Sequence, residues 1–419
     1  MISISTEQGV ALYLQKENAE ASSYLPVLES LLSRPVSVCH DWETVHKAAE
    51  QQTISMLVFD LGIEPSVSEL EKLKRFTELQ PDAIRVGAYK PHSVFNRASY
   101  GNYCHRLLTN NGDGADLQIA LQEASRARRV LSQDKLCSFV DEIPSLPAFP
   151  VISGHIANSL SDPGTNARKL VQLLDKEPHT SNELIKQVSN ACFILQNNVS
   201  HLLDAINIIG VRQSHYMILA NQVFDQLPQN SHWSSFAFEH IRERSLLVAG
   251  LAQEICKSVK APAEIADQAF LASLLQDLGM LIFAGNFPEN YQRVMQEASD
   301  LKQPLYAVEK LRMRVSHTEV TAHLLSQWKL PPAAVEAVLF HHFPTSSKSD
   351  EFSALTALHV ADAILPNVTN ALGCQISSRL NMDYLKRLGL DHMVNQWQKI
   401  ASGYKTSHPG CGGVVCSFA

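Results

Sequence analysis

The chain carries no excess of positive charge. Its 35 Lys and Arg against 42 Asp and Glu give a formal net charge of -7 at pH 7. That balance argues against a broad nucleic-acid surface. The one dense basic run, Arg126-Ala127-Arg128-Arg129, is a single helical turn and reads as a solvated helix face. No apolar run suggests a membrane-spanning segment, and no basic segment followed by an apolar one opens the chain as a secretory signal would. The expectation is a cytoplasmic protein with neither nucleic acid nor membrane as partner. Eight cysteines are scattered without paired metal-ligand spacing until Cys411 and Cys416, in the Gly-rich stretch Pro409-Gly410-Cys411-Gly412-Gly413. Two thiols do not make a zinc site, so the thiols read as reduced and residues 403–419 as a flexible tail. A phosphate-binding Gly-rich loop, a Gly-x-Ser-x-Gly turn and a His-Glu-x-x-His helix are all missing, which removes the enzyme classes built on them.

What remains is an ordinary globular composition, 45% hydrophobic and 18% charged, over 419 residues. That length calls for two or three domains. The most apolar stretch runs from Ala269 to Ala284 and holds a single carboxylate, Asp277. It reads as part of one buried helix, Glu264 to Ala284, too short in its apolar part to cross a bilayer. A lone carboxylate in such surroundings must be paired, hydrogen-bonded or bound to a metal.

Residues 1–131 alternate strand and helix signals. Strands are expected at Val10–Leu14, Pro35–Cys39, Met56–Phe59 and Ala83–Ala88, with a weaker fifth at Tyr103–Leu108. Helices fall between them, at Ala19–Leu32, Trp42–Gln51 and Ser66–Leu79, and a last one runs from Ala115 to Leu131. This is the pattern of a doubly wound, flavodoxin-like α/β domain with a parallel sheet, whose functional residues lie at the carboxyl ends of strands. Asp60 falls at such an end. The pattern, with Val58-Phe59-Asp60-Leu61, resembles a response-regulator receiver domain, and the resemblance makes Asp60 the candidate phosphoacceptor. The remainder of that site departs from the family. Gln15 and Lys16 stand where an acidic pair is expected, leaving Glu17 nearby. Gly87 or Ala88 replaces the switch hydroxyl, and Leu108 or Thr109 the lysine. Phosphoryl transfer to an aspartate needs a cation that the acidic pair would hold. The alternative is a receiver-shaped module that binds a partner or dimerises.

Residues 132–145 read as a linker leading into the Pro-punctuated segment Ile143–Pro150. From 146 to 402 the apolar spacing is helical almost throughout, with short loops, which implies a compact all-α domain. This region resembles the HDOD domain, a bacterial signalling module related to HD-type metal phosphohydrolases. The residues that carry the resemblance begin with Leu146-Pro147-Ala148-Phe149-Pro150, Asp162-Pro163, Asp175-Lys176-Glu177-Pro178 and Ser189-Asn190-Ala191. They continue with Ala205-Ile206-Asn207-Ile208-Ile209-Gly210, Gln276-Asp277, His317-Thr318-Glu319, His341-His342 and His359-Val360-Ala361-Asp362.

The resemblance implies a polar pocket of Arg244, Gln276, Asp277, His317, His341, His342, His359 and Asp362. An HD hydrolase holds a metal with imidazoles and carboxylates from several helices. Here Gln276 replaces the histidine of the His-Asp pair, and Arg244 aligns with an earlier ligand histidine. A guanidinium cannot ligate a cation, but it can occupy the cation's place and neutralise Asp277, Asp362 or both. Metal candidates are reduced to Asp277, His317, His341 and Asp362. The Glu and the Gly-Tyr-Pro loop that follow the paired histidines in cyclic-dinucleotide phosphodiesterases are replaced by Phe343-Pro344-Thr345. The expectation is a bacterial signal-transduction protein with no catalytic residues and no required cofactor, acting on signalling proteins. The alternatives are an HD-type phosphohydrolase acting on a nucleotide, with a residual divalent metal, and a sensor of an anionic small ligand bound near Arg244.

Overall fold

A computed structural model describes residues 9–15, 24–32, 35–61, 65–90, 93, 95, 97–109, 114–160, 166–190, 199–228, 238–365, 374 and 376–407. Cys411 and Cys416, together with Lys16 and Glu17, lie outside them. The chain divides into two compact units, one built on residues up to 132 and the other on most of the chain from 133 onward.

The first unit holds β1 (Val10–Leu14), α1 (Tyr24–Leu32), β2 (Ser37–Cys39), α2 (Trp42–Gln51), β3 (Ile54–Asp60), α3 (Val67–Leu79), β4 (Ile84–Tyr89), α4 (Arg97–Gly101), β5 (Arg106–Thr109) and α5 (Gly114–Leu131). The strands form one parallel sheet in the order β2-β1-β3-β4-β5. Every residue of β3 is buried, as a strand covered on both faces requires. Alternate residues feed two cores. Leu12, Leu14, Leu57 and Phe59 pack with Trp42, Val45, Leu73 and Phe76 from α2 and α3. Ala11, Tyr13, Met56 and Val58 pack with Tyr24, Leu28, Leu117 and Leu121 from α1 and α5. This is the flavodoxin-like arrangement the alternation implied. Ser66 caps α3 in a capping box with Glu69. The fifth strand begins later than expected, because Tyr103 and Cys104 donate their amides to Tyr100 O in a turn and pairing starts at Arg106.

The second unit is helical among the described residues. Its elements are α6 (Asp134–Asp141), α7 (Val151–Leu160), α8 (Ala167–Leu174), α9 (Pro178–Asn190), α10 (Leu202–Ile209), α11 (Val211–Asp225), α12 (Phe238–Ser258), α13 (Ala263–Leu275), α14 (Leu278–Asn286), α15 (Pro288–Asp300), α16 (Leu305–Arg312), α17 (His317–Gln327), α18 (Pro332–Phe340), α19 (Ala354–Ile364), α20 (Met382–Arg387) and α21 (Val394–Ser407). The segment expected as a linker is a correction, since it contains α6. Leu136 and Val140 are buried there, and the Phe139 ring meets Phe283 and Phe287 at 5.8 and 5.9 Å. The Pro-rich segment that follows cannot form a helix, so its backbone is satisfied by side-chain amides. Ser145 N donates to Asn286 Oδ1 at 2.8 Å and Ala148 N to Gln226 Oε1 at 2.9 Å.

The long apolar helix expected from Glu264 to Ala284 is in fact two, α13 and α14, broken at Gln276 and Asp277. Asp277 has φ -101° and ψ 12°, outside the helical region. By length and composition Ala263–Asn286 could cross a membrane, contrary to the first reading of the sequence, but it is wholly buried within the protein. Gly279 explains how this hairpin is seated. A β-carbon there would stand 2.3 Å from His317 O, and the Gly279 amide donates to Thr321 Oγ1 at 2.8 Å. The bare backbone therefore lies against the first turn of α17, which brings Asp277 beside His317.

Candidate functional site

Arg244 comes from the middle of α12 and is only 2% exposed. Its Nη2 donates to Asp362 Oδ1 at 2.7 Å and to Asp362 O at 3.1 Å, and its Nη1 lies 3.5 Å from Asp277 Oδ2. Gln276 Nε2 donates to the same two carboxylates, at 3.0 Å to Asp277 and 3.2 Å to Asp362. A single cation and an amide thus bridge two buried carboxylates from different elements. Burial works against the charge on Arg244, but Asp362 and Asp277 override it and hold its pKa above the usual value. Burial would likewise raise Asp362, yet the guanidinium dominates and holds that carboxyl far below the ordinary range. Asp277 is raised, because burial outweighs its more distant Arg244 contact and Asp362 adds a like charge.

The imidazoles form the other half of the site, and one ring nitrogen from each of His317, His341 and His342 lies within 4.8 Å of the other two. The tautomers follow from their partners. His317 Nδ1 donates to Glu309 Oε2 at 2.7 Å, and its Nε2 donates to His342 Nε2 at 3.1 Å. His342 Nδ1 donates to Ser378 Oγ at 2.8 Å, and His341 Nδ1 to Val338 O at 2.8 Å. His341 Nε2 is buried without a hydrogen-bond partner among the described residues. Burial alone would depress His317, but Glu309, with Asp277 and Asp362 behind it, raises its pKa. Those carboxylates favour its charged form, in which Nε2 is the donor toward His342. Burial pushes His341 and His359 down to about 4 and His342 well below its ordinary value, so these three are neutral at pH 7.

The structure therefore gathers Arg244, Gln276, Asp277, Asp362, His317, His341 and His342 into one buried network. His359 belongs to its edge. Although it shares α19 with Asp362, its Nδ1 donates to His341 O at 2.7 Å and its Nε2 accepts from Asn381 N at 3.0 Å. Of the four metal candidates, Asp277 and Asp362 are held by Arg244, and His317 Nε2 is nearer to His342 than to Asp277 Oδ1, at 3.8 Å. Three contributors were not anticipated. Glu309, fully buried on α16, accepts from Tyr291 Oη, His317 N and His317 Nδ1. Ser378 N donates to Asp362 Oδ2 at 2.6 Å. Tyr306 stacks on His342 at 4.6 Å, where the network comes nearest the surface.

The donor set suits a transition metal in part. Three imidazoles with their Nδ1 atoms anchored by a carboxylate, a hydroxyl and a carbonyl are arranged as metal-binding histidines are. The 3.1 Å between His317 Nε2 and His342 Nε2 is close to the roughly 3.3 Å that zinc–imidazole bond lengths give for two ligands of a tetrahedral ion. The carboxylate half does not suit one, because Arg244 puts a permanent positive charge there.

In the first unit, Asp60 ends β3 and is 8% exposed. Tyr13 pairs in register with Val58, so strand alternation puts Asp60 on the same face, one diagonal step along. Tyr13 Oη donates to Asp60 Oδ2 at 2.8 Å.

Residues 146–344 match the model of the HDOD domain. An uncharacterized protein of Treponema pallidum is 22% identical over 205 residues, 49% of this chain and 39% of that relative's length. Thus the match spans well under half of the curated relative. An HDOD domain protein from Geobacter sulfurreducens has a similar fold, with a TM-score of 0.53 and 17% identity over 67% of this chain and 94% of that one. A candidate signal transduction protein from Marinobacter aquaeolei matches 93% of this chain and 87% of its own, with a TM-score of 0.52 and 16% identity.

Proposed function

With residues 146–344 identified as an HDOD domain, a relative of the HD phosphohydrolases, we propose that this chain is a regulatory signalling protein whose helical unit works by contact and not by turnover. The observation that carries this reading is the Arg244–Asp362 pair at 2.7 Å, reinforced by Gln276. A hydrolase of this class needs both carboxylates free to hold cations that activate water and polarise a phosphoryl oxygen. Here both are neutralised by groups of the chain itself. The same pairing works against Arg244 as a receptor for an anionic ligand, because an anion would have to displace two carboxylates from a buried site. The receiver-like unit fits a contact role as well, since the Asp60 carboxylate accepts a hydrogen bond from Tyr13. Signalling proteins in the cytoplasm are the partners this reading calls for.

A second reading is supported by the imidazoles alone. His317, His341 and His342 would hold one divalent transition metal, which would supply Lewis acidity when bound. Glu309 and Ser378 would fix the ring orientations.

Elemental analysis of protein purified without chelator tests both, with the Arg244→His/Gln276→His variant alongside. The regulatory reading expects no stoichiometric metal in the natural protein and a gain in the variant. Metal near one equivalent that disappears in His341→Ala supports the second reading. If such metal is accompanied by nucleotide hydrolysis, the regulatory reading fails.

A further inference from the structure

The segment from Ile376 to Asn381 crosses the helical unit between α19 and α20, and polar side chains of the buried centre hold it. Ser378 N donates to Asp362 Oδ2 at 2.6 Å. Ser378 Oγ accepts from His342 Nδ1 at 2.8 Å and donates to His341 O at 3.3 Å. Three residues on, Asn381 N donates to His359 Nε2 at 3.0 Å, while Asn381 Oδ1 caps α20 by accepting from Tyr384 N at 2.9 Å. Tyr384 Oη in turn meets Thr356 Oγ1 of α19 at 2.7 Å. Ser378 is 3% exposed, so these bonds are made away from water, where each is costly to lose.

The anchors are notable for what else they hold. The other oxygen of Asp362 takes Arg244 and Gln276. The other nitrogen of His342 takes the proton shared with His317. Each anchor therefore has one face on the charged centre and one on this segment, and α20 starts where the segment ends.

From this we infer that Ile376–Asn381 is a latch. It couples the state of the Arg244–Asp362 and histidine centre to the docking of α20, making the C-terminal helices the part of the unit that reports on the centre. The inference rests on the regulatory reading above and names its output element. A cationic ligand that engages His342 Nε2 takes the place of His317 there and makes Nδ1–H a stronger donor to Ser378 Oγ. A change at Asp362 acts on the Ser378 amide. Both act through Ser378.

Hydrogen–deuterium exchange on the full chain tests this, with Ser378→Ala, which removes the hydroxyl, and Ser378→Thr, which keeps it. Zn²⁺ alone serves as the probe of the centre. The latch predicts that Ser378→Ala speeds exchange across residues 382–387 about tenfold, leaves α13 and α14 unchanged, and is reversed by Ser378→Thr. One equivalent of Zn²⁺ should slow exchange in that segment of the natural protein and have no such effect in Ser378→Ala. Unchanged exchange at 382–387 in Ser378→Ala overturns the latch, and so does a loss of protection spread equally over α13. If Ser378→Ala acts as stated while one bound equivalent of Zn²⁺ leaves exchange at 382–387 of the natural protein unchanged, the segment is an anchor alone and the coupling is overturned. If Zn²⁺ does not bind at all by elemental analysis, the metal reading fails and the coupling is tested instead by Asp362→Asn, which must speed exchange at 382–387.

Discussion

Arg244 Nη2 stands 2.7 Å from Asp362 Oδ1, with both side chains almost fully excluded from solvent. A buried ion pair contributes little net stability when made, but removing one partner strands the other charge. Arg244→Met should therefore destabilise the helical unit by about 3–5 kcal/mol. Adding Asp362→Asn to that variant should recover part of the loss, because the stranded charge goes with it. Urea denaturation of the single and double variants checks this. Equal stability of Arg244→Met and the natural protein would mean that the pair does not hold the carboxylates in solution.

Gly279 is a second point where a small change should have a large effect. A β-carbon there meets His317 O at 2.3 Å, and the obstacle is backbone that cannot rotate away. Gly279→Ala should cost at least the 1–3 kcal/mol typical of overpacking. It should also push α14 from the start of α17. A downfield shift or broadening of the His317 imidazole signals would accompany the lower denaturation midpoint, whereas Gly154→Ala in α7, where a β-carbon comes no nearer than 3.7 Å to Phe149 Cε1, serves as a control for helix propensity.

Asp60 should be a poor phosphoryl acceptor, because Gln15 and Lys16 stand where a cation-holding acidic pair would be needed. The natural protein incubated with acetyl phosphate and Mg²⁺ should show no phosphoryl adduct on Asp60 by intact mass. Tyr13→Phe should lose about 0.5–1.5 kcal/mol of stability, the net worth of one hydrogen bond, and should still take up no phosphoryl group. Detection of phosphorylated Asp60 in the natural protein would overturn this.

Asp267 gives a pH dependence of defined sign. Burial raises its pKa to about 6, against Arg212 Nε at 2.9 Å and Gln213 Nε2 at 2.6 Å, which lower it. The unfolded value is about 3.9, so the folded state binds the proton more tightly. The stabilisation from that proton is complete below the unfolded pKa and is lost as pH rises through about 6. Its upper limit is about 3 kcal/mol. Relative to Asp267→Asn, the natural protein should therefore lose stability between pH 4 and pH 7.5. A flat difference across that range would refute it.

How much of this could be read from the chain depended on whether the signal was local. The parallel sheet was legible because each strand is a short apolar run bounded by helical spacing, as in Met56–Phe59 of β3 just before Asp60. The bond from Tyr13 to Asp60 was not, since it depends on which strands become neighbours and in what register. Arg244 and Gln276 were found as departures from a family pattern, but the double contact of the guanidinium depends on three elements that are distant in sequence. The break at Gln276 and Asp277 left no periodic trace, because residues on either side are apolar all round. Glu309 escaped notice because Leu305–Arg312 reads as a charged surface helix. Its only hint is a carboxylate eight residues before His317. The helix Asp134–Asp141 was hidden by the prolines just after it.

The placement of Arg244 also limits which substitutions the chain can accept. It draws on α12, while its two carboxylates lie at the α13–α14 break and on α19. Replacing Arg244 alone with histidine takes the permanent positive charge from two buried carboxylates and leaves them Gln276, the Ser378 amide on Asp362, and His317 at 3.8 Å from Asp277. Replacing Gln276 alone sets a bulky ring against a guanidinium. Each single step lowers the fraction of folded molecules. The centre is therefore interdependent, and a substitution at Arg244 is expected to be tolerated only together with one at Asp277 or Asp362.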